Sequence, residues 1–286
     1  MTQRTEVKSY LPPIDTNHII KIISDFIKTR LEESKRSGII VGLSGGIDSA
    51  VVASLCVKAL NSDRVYGVFF PSSTTPPSDF KDVELFCKHL NIALTVVDIQ
   101  KLIDVFSSII STPEDSRLME WANLKPRLRQ TIWYYYANKL NCLVCGGGNK
   151  SEIMIGYFTK YGDAAVDLLP LGDIYKTQIY QLGKALKIPQ KILNKAPSAG
   201  LWKDQTDERE IGMTYVELDQ ILFGLERFYT DEEIVNKLKI PLSRVKKVKS
   251  LIYRSEHKRR GPIIFKMGIR TPTIDWRIPL VEPGEY

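Results

Sequence analysis

The chain has 286 residues, longer than one average domain and shorter than two large ones, which points to a single α/β domain carrying appendages. Hydrophobic residues at 43% and charged residues at 26% lie close to globular averages, so a disordered or collagen-like chain is excluded, and no apolar run approaches the length of a membrane-spanning helix. Forty basic against 33 acidic residues give +7, and the excess is local: between Asn236 and Arg260 ten Lys or Arg stand against Glu256 alone, a segment that could meet RNA, a polyphosphate-bearing small molecule or only water.

In chain order, the first predicted element is an amphipathic helix over residues 15–31. Ile19, Ile22, Ile23, Phe26 and Ile27 recur there at helical spacing, behind capping candidates from Asp15 to Asn17. Gly38–Leu43 is a short continuous apolar run of the kind found in a buried parallel strand, and Ala50–Leu60 suits a helix packed on a sheet. Arg64–Phe70 reads as a second strand, Asp79–Leu90 as a helix and Ala93–Asp98 as a third strand. A helix over Lys101–Ile110 leads to a long one over Arg117–Leu140, and Cys142–Cys145 is the fourth strand. Strands alternating with helices mean right-handed βαβ units, so the fold class is α/β, a doubly wound parallel sheet flanked by helices. Pro189 to Asp207, rich in Pro, Gly, Lys and Asp, reads as a loop, and a helix near Ser243–Glu256 precedes a Pro/Gly-punctuated tail. The organisation expected is one domain over residues 1–286, with a helical C-terminal region at about 213–261 and an extended tail.

The first fifteen residues contain no apolar core of signal-peptide type, and four cysteines in so long a chain are no disulfide framework, so a reduced, cytoplasmic location is expected. Cys142 and Cys145 spell CxxC, but inside the apolar run LNCLVCGGG and with no second Cys or His pair at zinc spacing. They read as strand filling.

In an open parallel sheet, ligands gather at the carboxyl ends of the strands, where the next helices present their N-termini. Ser44-Gly45-Gly46-Ile47-Asp48-Ser49 follows the first strand directly. Two glycines let backbone N–H groups approach phosphate oxygens, two serines add hydroxyl donors, and Asp48, which cannot attract phosphate, would hold Mg²⁺. The lysine of a Walker loop is absent. The bland alternative is a tight strand-to-helix turn with Ser and Asp as caps.

This loop resembles the SGGxDS signature of the ATP pyrophosphatases, which cleave ATP between its α- and β-phosphates. Later blocks narrow the resemblance. Asn123-Leu124-Lys125-Pro126-Arg127-Leu128-Arg129 is similar to the NIKARxR segment of NAD synthetases, Gly147-Gly148-Asn149-Lys150-Ser151-Glu152 to their GTxNxSE, and Gly156–Asp163 nearly repeats their GxFTKYGD. Asp167–Leu171, Asp173–Gln178, Ala196–Ala199, Leu201-Trp202, Gln205–Glu208 and Ser255–Arg259 follow in the same order, so the resemblance covers about residues 15–261.

What the resemblance implies is specific. The fold would be of the adenine nucleotide α-hydrolase type, Rossmann-like. The reaction would be ATP-dependent amidation of deamido-NAD to NAD through a deamido-NAD adenylate, with ammonia consumed and AMP and pyrophosphate released. ATP is then the co-substrate and Mg²⁺ the cofactor, held by Asp48 and Glu152; an all-oxygen site with one or two carboxylates is what that ion prefers. Gly42, Leu43, Ser44, Gly45, Gly46, Ile47, Asp48, Ser49, Gly147, Lys176 and Ser198 would surround ATP, and Arg127, Lys160, Asp167, His257 and Lys258 would contact deamido-NAD. Lys176 would offset charge building on the leaving group, and Asp163 would accept the proton the amine must lose. Departures from the family pattern fall at Gly147, where many members carry Thr, at Phe69 in place of an Arg, and at Thr75 in place of a Gln, so the adenine pocket is less well specified than the phosphate site.

Two other readings compete with this one. An RNA-modifying enzyme could use the basic C-terminal segment, but there is no zinc-like Cys/His cluster and no RNP-type aromatic motif, so neither a nucleic-acid nor a membrane partner is expected. A silent nucleotide-binding module would not need both metal ligands. Two bare carboxylates repel, so the pair should be poorly formed without metal. The helix Arg117–Leu140 presents Trp121, Leu124, Leu128, Ile132, Trp133 and Tyr136, more aromatic surface than one sheet face readily covers, and the resemblance implies a homodimer through this region. Only 14 residues precede the first helix, too few for an appended amidase domain, so ammonia is expected to be the direct nitrogen source.

Overall fold

In the computed structural model, which describes residues 10–115, 118–202 and 204–276, the apolar run Gly38–Leu43 forms strand β1 in the interior of a four-stranded sheet. Its side chains alternate between two hydrophobic layers: Ile39, Val41 and Leu43 join one core and Ile40 the other, which is why the run shows no polar face. β2 (Val65–Phe69) lies parallel on one side, Ile39 opposite Val65, and β3 (Ala93–Val96) pairs beyond it. On the other side lies β4 (Cys142–Cys145), Gly38 opposite Cys142, giving the order β3–β2–β1–β4. The chain winds outward from β1 to β3 and then crosses back to begin β4. The winding direction reverses between β1 and β4, where a doubly wound sheet opens its ligand crevice.

Helices α1 (Thr16–Glu33), α2 (Ile47–Leu60) and α3 (Pro77–Leu90) pack on one face, and α4 (Gln100–Ile110) and α5 (Met119–Leu140) on the other. α1 starts where the sequence suggested: the Asp15 carboxylate accepts from the His18 N–H at 3.1 Å. The second strand begins one residue later than expected because residues 62–64 form a 3₁₀ turn. The third ends at Val96, and Arg117, the expected start of the long helix, lies outside the described residues.

The long helix corrects one sequence-based argument. Trp121 and Trp133 are only 3% and 8% exposed, turned onto their own sheet, and the Trp133 indole donates to the Ile40 carbonyl at 3.3 Å. Leu124, Leu128, Ile132 and Tyr136 pack, partly buried, against the same core. The aromatic surface that seemed surplus is consumed within the chain. α4 also presents apolar side chains to solvent, Val105 and Ile109 being 55% and 73% exposed.

Beyond β4 come α6 (Lys150–Ile155) and α7 (Lys176–Ala185), the latter packing with α1 and α2. Two short helices, α8 (Gln190–Leu193) and α9 (Asp207–Ile211), bound the stretch read as a loop. α10 (Tyr215–Glu226), α11 (Asp231–Leu238) and α12 (Leu242–Arg259) close a third core around Leu218, Ile221, Ile234, Val245 and Val248 that reaches Ile155 and Tyr175. This core brings the helical C-terminal segment against the helices that start at the crevice. Among the described residues no helix is long and apolar enough to cross a membrane, and all four cysteines are buried and unpaired.

Candidate active site

β1 ends at Leu43 and the chain turns through Ser44, Gly45 and Gly46 into α2. Gly45 takes φ +74°, a conformation that side-chain-bearing residues rarely adopt, so the turn requires glycine there. No side chain caps α2 at Gly46, which leaves its first N–H groups for an anion. The serines brace the loop: Ser49 Oγ donates to the Gly46 carbonyl at 3.0 Å, and the Ser44 N–H donates to Ser49 Oγ at 3.2 Å. Gly42, Leu43 and Ile47 have structural side-chain surroundings. A Cβ on Gly42 would stand 2.8 Å from the Trp133 ring, and Leu43 and Ile47 are buried in the core, so only their main chain could meet a ligand.

Asp48 lies in the first turn of α2, and Glu152 in the first turn of α6 after β4. Neighbouring strands thus deliver both carboxylates to one place. Asn149, fully buried, serves both: its amide oxygen accepts from the Glu152 N–H at 3.0 Å, capping α6, while its Nδ2 donates to Asp48 Oδ1 at 2.9 Å. Lys176, the first residue of α7 and 2% exposed, sets its Nζ 2.5 Å from Asp48 Oδ2 and 3.2 Å from Glu152 Oε1. The Lys176 ammonium lies between the two carboxylates and offsets their mutual repulsion.

The electrostatics follow from that packing. Burial pushes the Glu152 carboxyl up to about 7, with Lys176 pulling it down and Asp48 and Asp207 adding to the rise. Burial also acts to lower the Lys176 pKa, but Asp48 and Glu152 outweigh it and the lysine is held above its usual range. The Tyr215 hydroxyl lies 3.3 Å from Glu152 Oε1 and 3.1 Å from Asp207 Oδ2, and its one proton serves one of them at a time.

The other residues assigned by resemblance form a second group beside the β4 edge. Asp163 accepts from the Thr159 N–H at 2.9 Å. It keeps an exposed side, yet the surrounding protein raises its pKa by desolvation, against the pull of the Thr159 N–H and of Arg129 and Lys258. Lys258 Nζ donates to the Gly156 and Phe158 carbonyls, both at 2.8 Å, and burial holds it below the usual lysine range, Asp163 opposing. Arg127 is exposed, its Nε donating to the Lys160 carbonyl at 3.3 Å, and Lys160 Nζ lies 5.1 Å from the Tyr161 ring centre. Asp167 spends both oxygens within the protein, accepting from the Tyr134 hydroxyl at 2.9 Å and the Val144 N–H at 2.7 Å. His257 is exposed on α12. No contact joins Asp163 to Lys176, so the two residues assigned catalytic roles stand in different groups.

At the mouth, Thr74 donates to the Gly200 carbonyl at 3.1 Å, and buried Lys125 donates to the Leu201 carbonyl at 3.1 Å. Ser198 is exposed there and accepts from the Gly200 N–H. Phe69 packs on Phe80 with ring centres 5.9 Å apart, and Thr75 hydrogen-bonds within its own turn to Ser72. Gly147 has room for a side chain, since a Cβ there would lie 3.6 Å from Asp48 Cβ.

The sequence reading assigns no role to Asn149, Asp207, Tyr215 or Asp219, all of which the structure places at the site. Asp219, fully buried on α10, accepts from Ser151 Oγ at 2.5 Å, Thr177 N at 2.8 Å and Thr177 Oγ1 at 2.7 Å, and so pins the neighbours of both Glu152 and Lys176. The signal was available: Asp219-Gln220 interrupts the apolar run of α10.

The residues fit Mg²⁺. The donors facing each other are oxygens, and a cationic group already occupies the space between them. Among the described residues no third His, Cys, Asp or Glu completes a metal-holding group, so phosphate and water would supply the rest of the shell.

A parallel sheet with a lysine-free glycine loop after β1 and a carboxylate pair at the β1 and β4 ends defines a nucleotide-dependent enzyme of the adenine nucleotide α-hydrolase fold. Residues 19–262 match the NAD synthase family. The NH₃-dependent NAD⁺ synthetase of Methanocaldococcus jannaschii is 44% identical over 246 residues, 85% of this chain and 95% of that one. Among solved structures, the NMN synthetase from Francisella tularensis is 33% identical, with TM-score 0.79 over 89% of this chain and all of that one. The NH₃-dependent NAD synthetase from Campylobacter jejuni, in complex with the nitrate ion, is 30% identical, with TM-score 0.74 over 88% of this chain and all of that one. The chain belongs to the NAD synthase family, a family of ligases.

Proposed function

We propose that this protein converts deamido-NAD to NAD in two steps, a nicotinate carboxylate oxygen displacing pyrophosphate from the α-phosphorus of ATP and ammonia then displacing AMP. The observation that carries the reading is the Asp48–Lys176–Glu152 cluster, a buried ammonium between two half-buried carboxylates, beside the SGGIDS loop. The loop N–H groups and the start of α2 would cradle the phosphates, with Gly147 and Ser198 at the rim. Asp48 and Glu152 would hold Mg²⁺, which when bound screens phosphate charge and orients the leaving group. Lys176, at the start of α7, would offset the negative charge that builds on the pyrophosphate leaving group.

Arg127, Lys160, His257 and Lys258 would supply cationic contacts to the dinucleotide, and Asp167 would accept from a ribose hydroxyl through lone pairs left by Tyr134 and Val144. Asp163, with its raised pKa, is the group in that region able to take the proton released when the amide nitrogen forms. The chain would work as one domain, the helical region 213–261 completing the site. It would pair as a homodimer through the exposed apolar face of α4, in a reducing compartment such as the cytoplasm, which suits its unpaired cysteines.

The test is incubation with ATP, Mg²⁺ and ammonia, offering deamido-NAD and, in parallel, nicotinate mononucleotide, the smaller acceptor suggested by the Francisella relative's name. NAD, AMP and pyrophosphate in equal amounts are expected from the dinucleotide. Faster turnover of the mononucleotide would overturn the substrate assignment, and glutamine serving as well as ammonia would overturn the nitrogen source. Sedimentation at micromolar concentration tests the dimer, which a fully active monomer would refute.

A further inference from the structure

The loop after β1 carries no lysine of its own, yet an ammonium lies beside its first glycine. Lys195 follows α8, whose Ile192 and Leu193 are buried in the main core, so the base of the lysine is anchored. A methyl group built on Gly45 would stand 3.5 Å from Lys195 Nζ and 3.6 Å from Asp79 Cβ. Lys195 Nζ and Asp79 Oδ2 are 2.7 Å apart, with the lysine side chain 32% and the aspartate side chain 11% exposed. Asp79 is fixed in the first turn of α3, where its N–H donates to the Pro76 carbonyl at 2.9 Å. The lysine is therefore aimed by a buried carboxylate while part of it stays open to solvent.

Two lysines thus bracket one phosphate loop. Lys176 stands at its aspartate end, held by Asp48 and Glu152, and Lys195 at its glycine end, held by Asp79. When the bond between the α-phosphorus and the bridging oxygen breaks, negative charge accumulates on the departing pyrophosphate. Backbone N–H groups carry only partial charges, and an ammonium beside the loop adds to their stabilisation of that charge. A lone carboxylate in the place of Asp79 would repel the same anion, and the lysine converts that liability into a positioned positive charge.

We propose that Lys195 is a further catalytic residue that grips the pyrophosphate leaving group of ATP, with Asp79 as its positioning residue. The inference rests on reading the SGGIDS loop as the ATP site. A purely structural ion pair joining α8 to α3 would bind no pyrophosphate, and that difference supplies the test.

Lys195→Met and Lys195→Arg are compared with the parent enzyme by calorimetry with inorganic pyrophosphate in the presence of Mg²⁺, by calorimetry with AMP, and by steady-state kinetics, with thermal melts alongside. Lys195→Met should weaken pyrophosphate binding by about tenfold or more and lower kcat by a similar factor, while AMP affinity and the KM for deamido-NAD stay within about twofold. Lys195→Arg keeps the charge and should recover part of both losses. Pyrophosphate affinity and kcat unchanged in Lys195→Met would overturn the proposal, as would an equal loss of AMP and pyrophosphate affinity in both variants, the mark of a distorted loop. The reading of the site itself fails separately: a parent enzyme that forms NAD without releasing pyrophosphate would sink that reading whatever the variants do.

Discussion

Charged groups at the β1 end of the crevice are buried and paired, with Lys176 2% exposed between two carboxylates, whereas beside β4 Arg127 and His257 reach solvent and Lys160 rests on a tyrosine ring. Burying charge is costly, and the tightest such cluster, around Lys176, stands where bonds would be made and broken. Arg127 and His257, open to solvent, suit the holding of a large anion in ground state and transition state alike. Substitutions at the two ends should therefore fail in different ways.

The largest effect is expected at the buried end. Asp48→Asn or Glu152→Gln should cut kcat by about 10²-fold or more, roughly 2.7 kcal/mol, and also lower the melting temperature, because buried Lys176 loses one of its two counter-charges. A folded Glu152→Gln enzyme with near-normal kcat at low Mg²⁺ would erase the contrast. Asp219→Asn comes next. It leaves the donors of Ser151 and Thr177 poorly matched, and should lower kcat about tenfold through misplaced Lys176 and Glu152 while also lowering the melting temperature. A melting change with intact kcat would reduce Asp219 to a packing role.

At the exposed end, Lys160→Ala should raise the KM for deamido-NAD by about three- to tenfold with kcat within about twofold. A fall in kcat with KM unchanged would place Lys160 at the chemistry instead. The smallest effect is a pH dependence. Burial lowers the Lys258 pKa against the opposing charge of Asp163, with Arg129 also nearby. Its ammonium should lose the proton at a lower pH than an ordinary lysine does, so the KM for deamido-NAD should rise early on the alkaline side. Lys258→Arg, which stays charged, should flatten that rise. An alkaline profile identical in both enzymes would assign the effect elsewhere.

Much of the frame could be read from residue order alone. Short continuous apolar runs such as Gly38–Leu43, rich in β-branched residues and bounded by glycine and serine, read as strands buried on both faces, and the expected bounds fall within a residue or two of β1, β2 and β4. α8 and α9, four and five residues long, carry too little periodicity to be seen. The dimer argument misjudged Trp121 and Trp133 because helical spacing says which residues share a face but not what covers that face. Strand order does bring Asp48 and Glu152 to one place, since both follow neighbouring strands. That Lys176 would lie between them could not be read, because it depends on how α7 packs after a long irregular segment. Asp167 shows the reverse limit: a residue assigned to a ligand also satisfies the exposed edge of β4.

The strand Cys142–Cys145 has one more consequence. Its two thiols are three residues apart, and pleat parity sends Cys142 into the α4–α5 layer and Cys145 toward α2, where its sulfur lies 3.9 Å from that of Cys56. Burial pushes the Cys142 thiol up to about 11 and the Cys145 thiol well above the usual range, so neither reacts readily while its layer is closed. One strand therefore carries a separate chemical clock for each side of the sheet, and the order in which an alkylating reagent marks the two peptides would tell whether the layers breathe together or in turn.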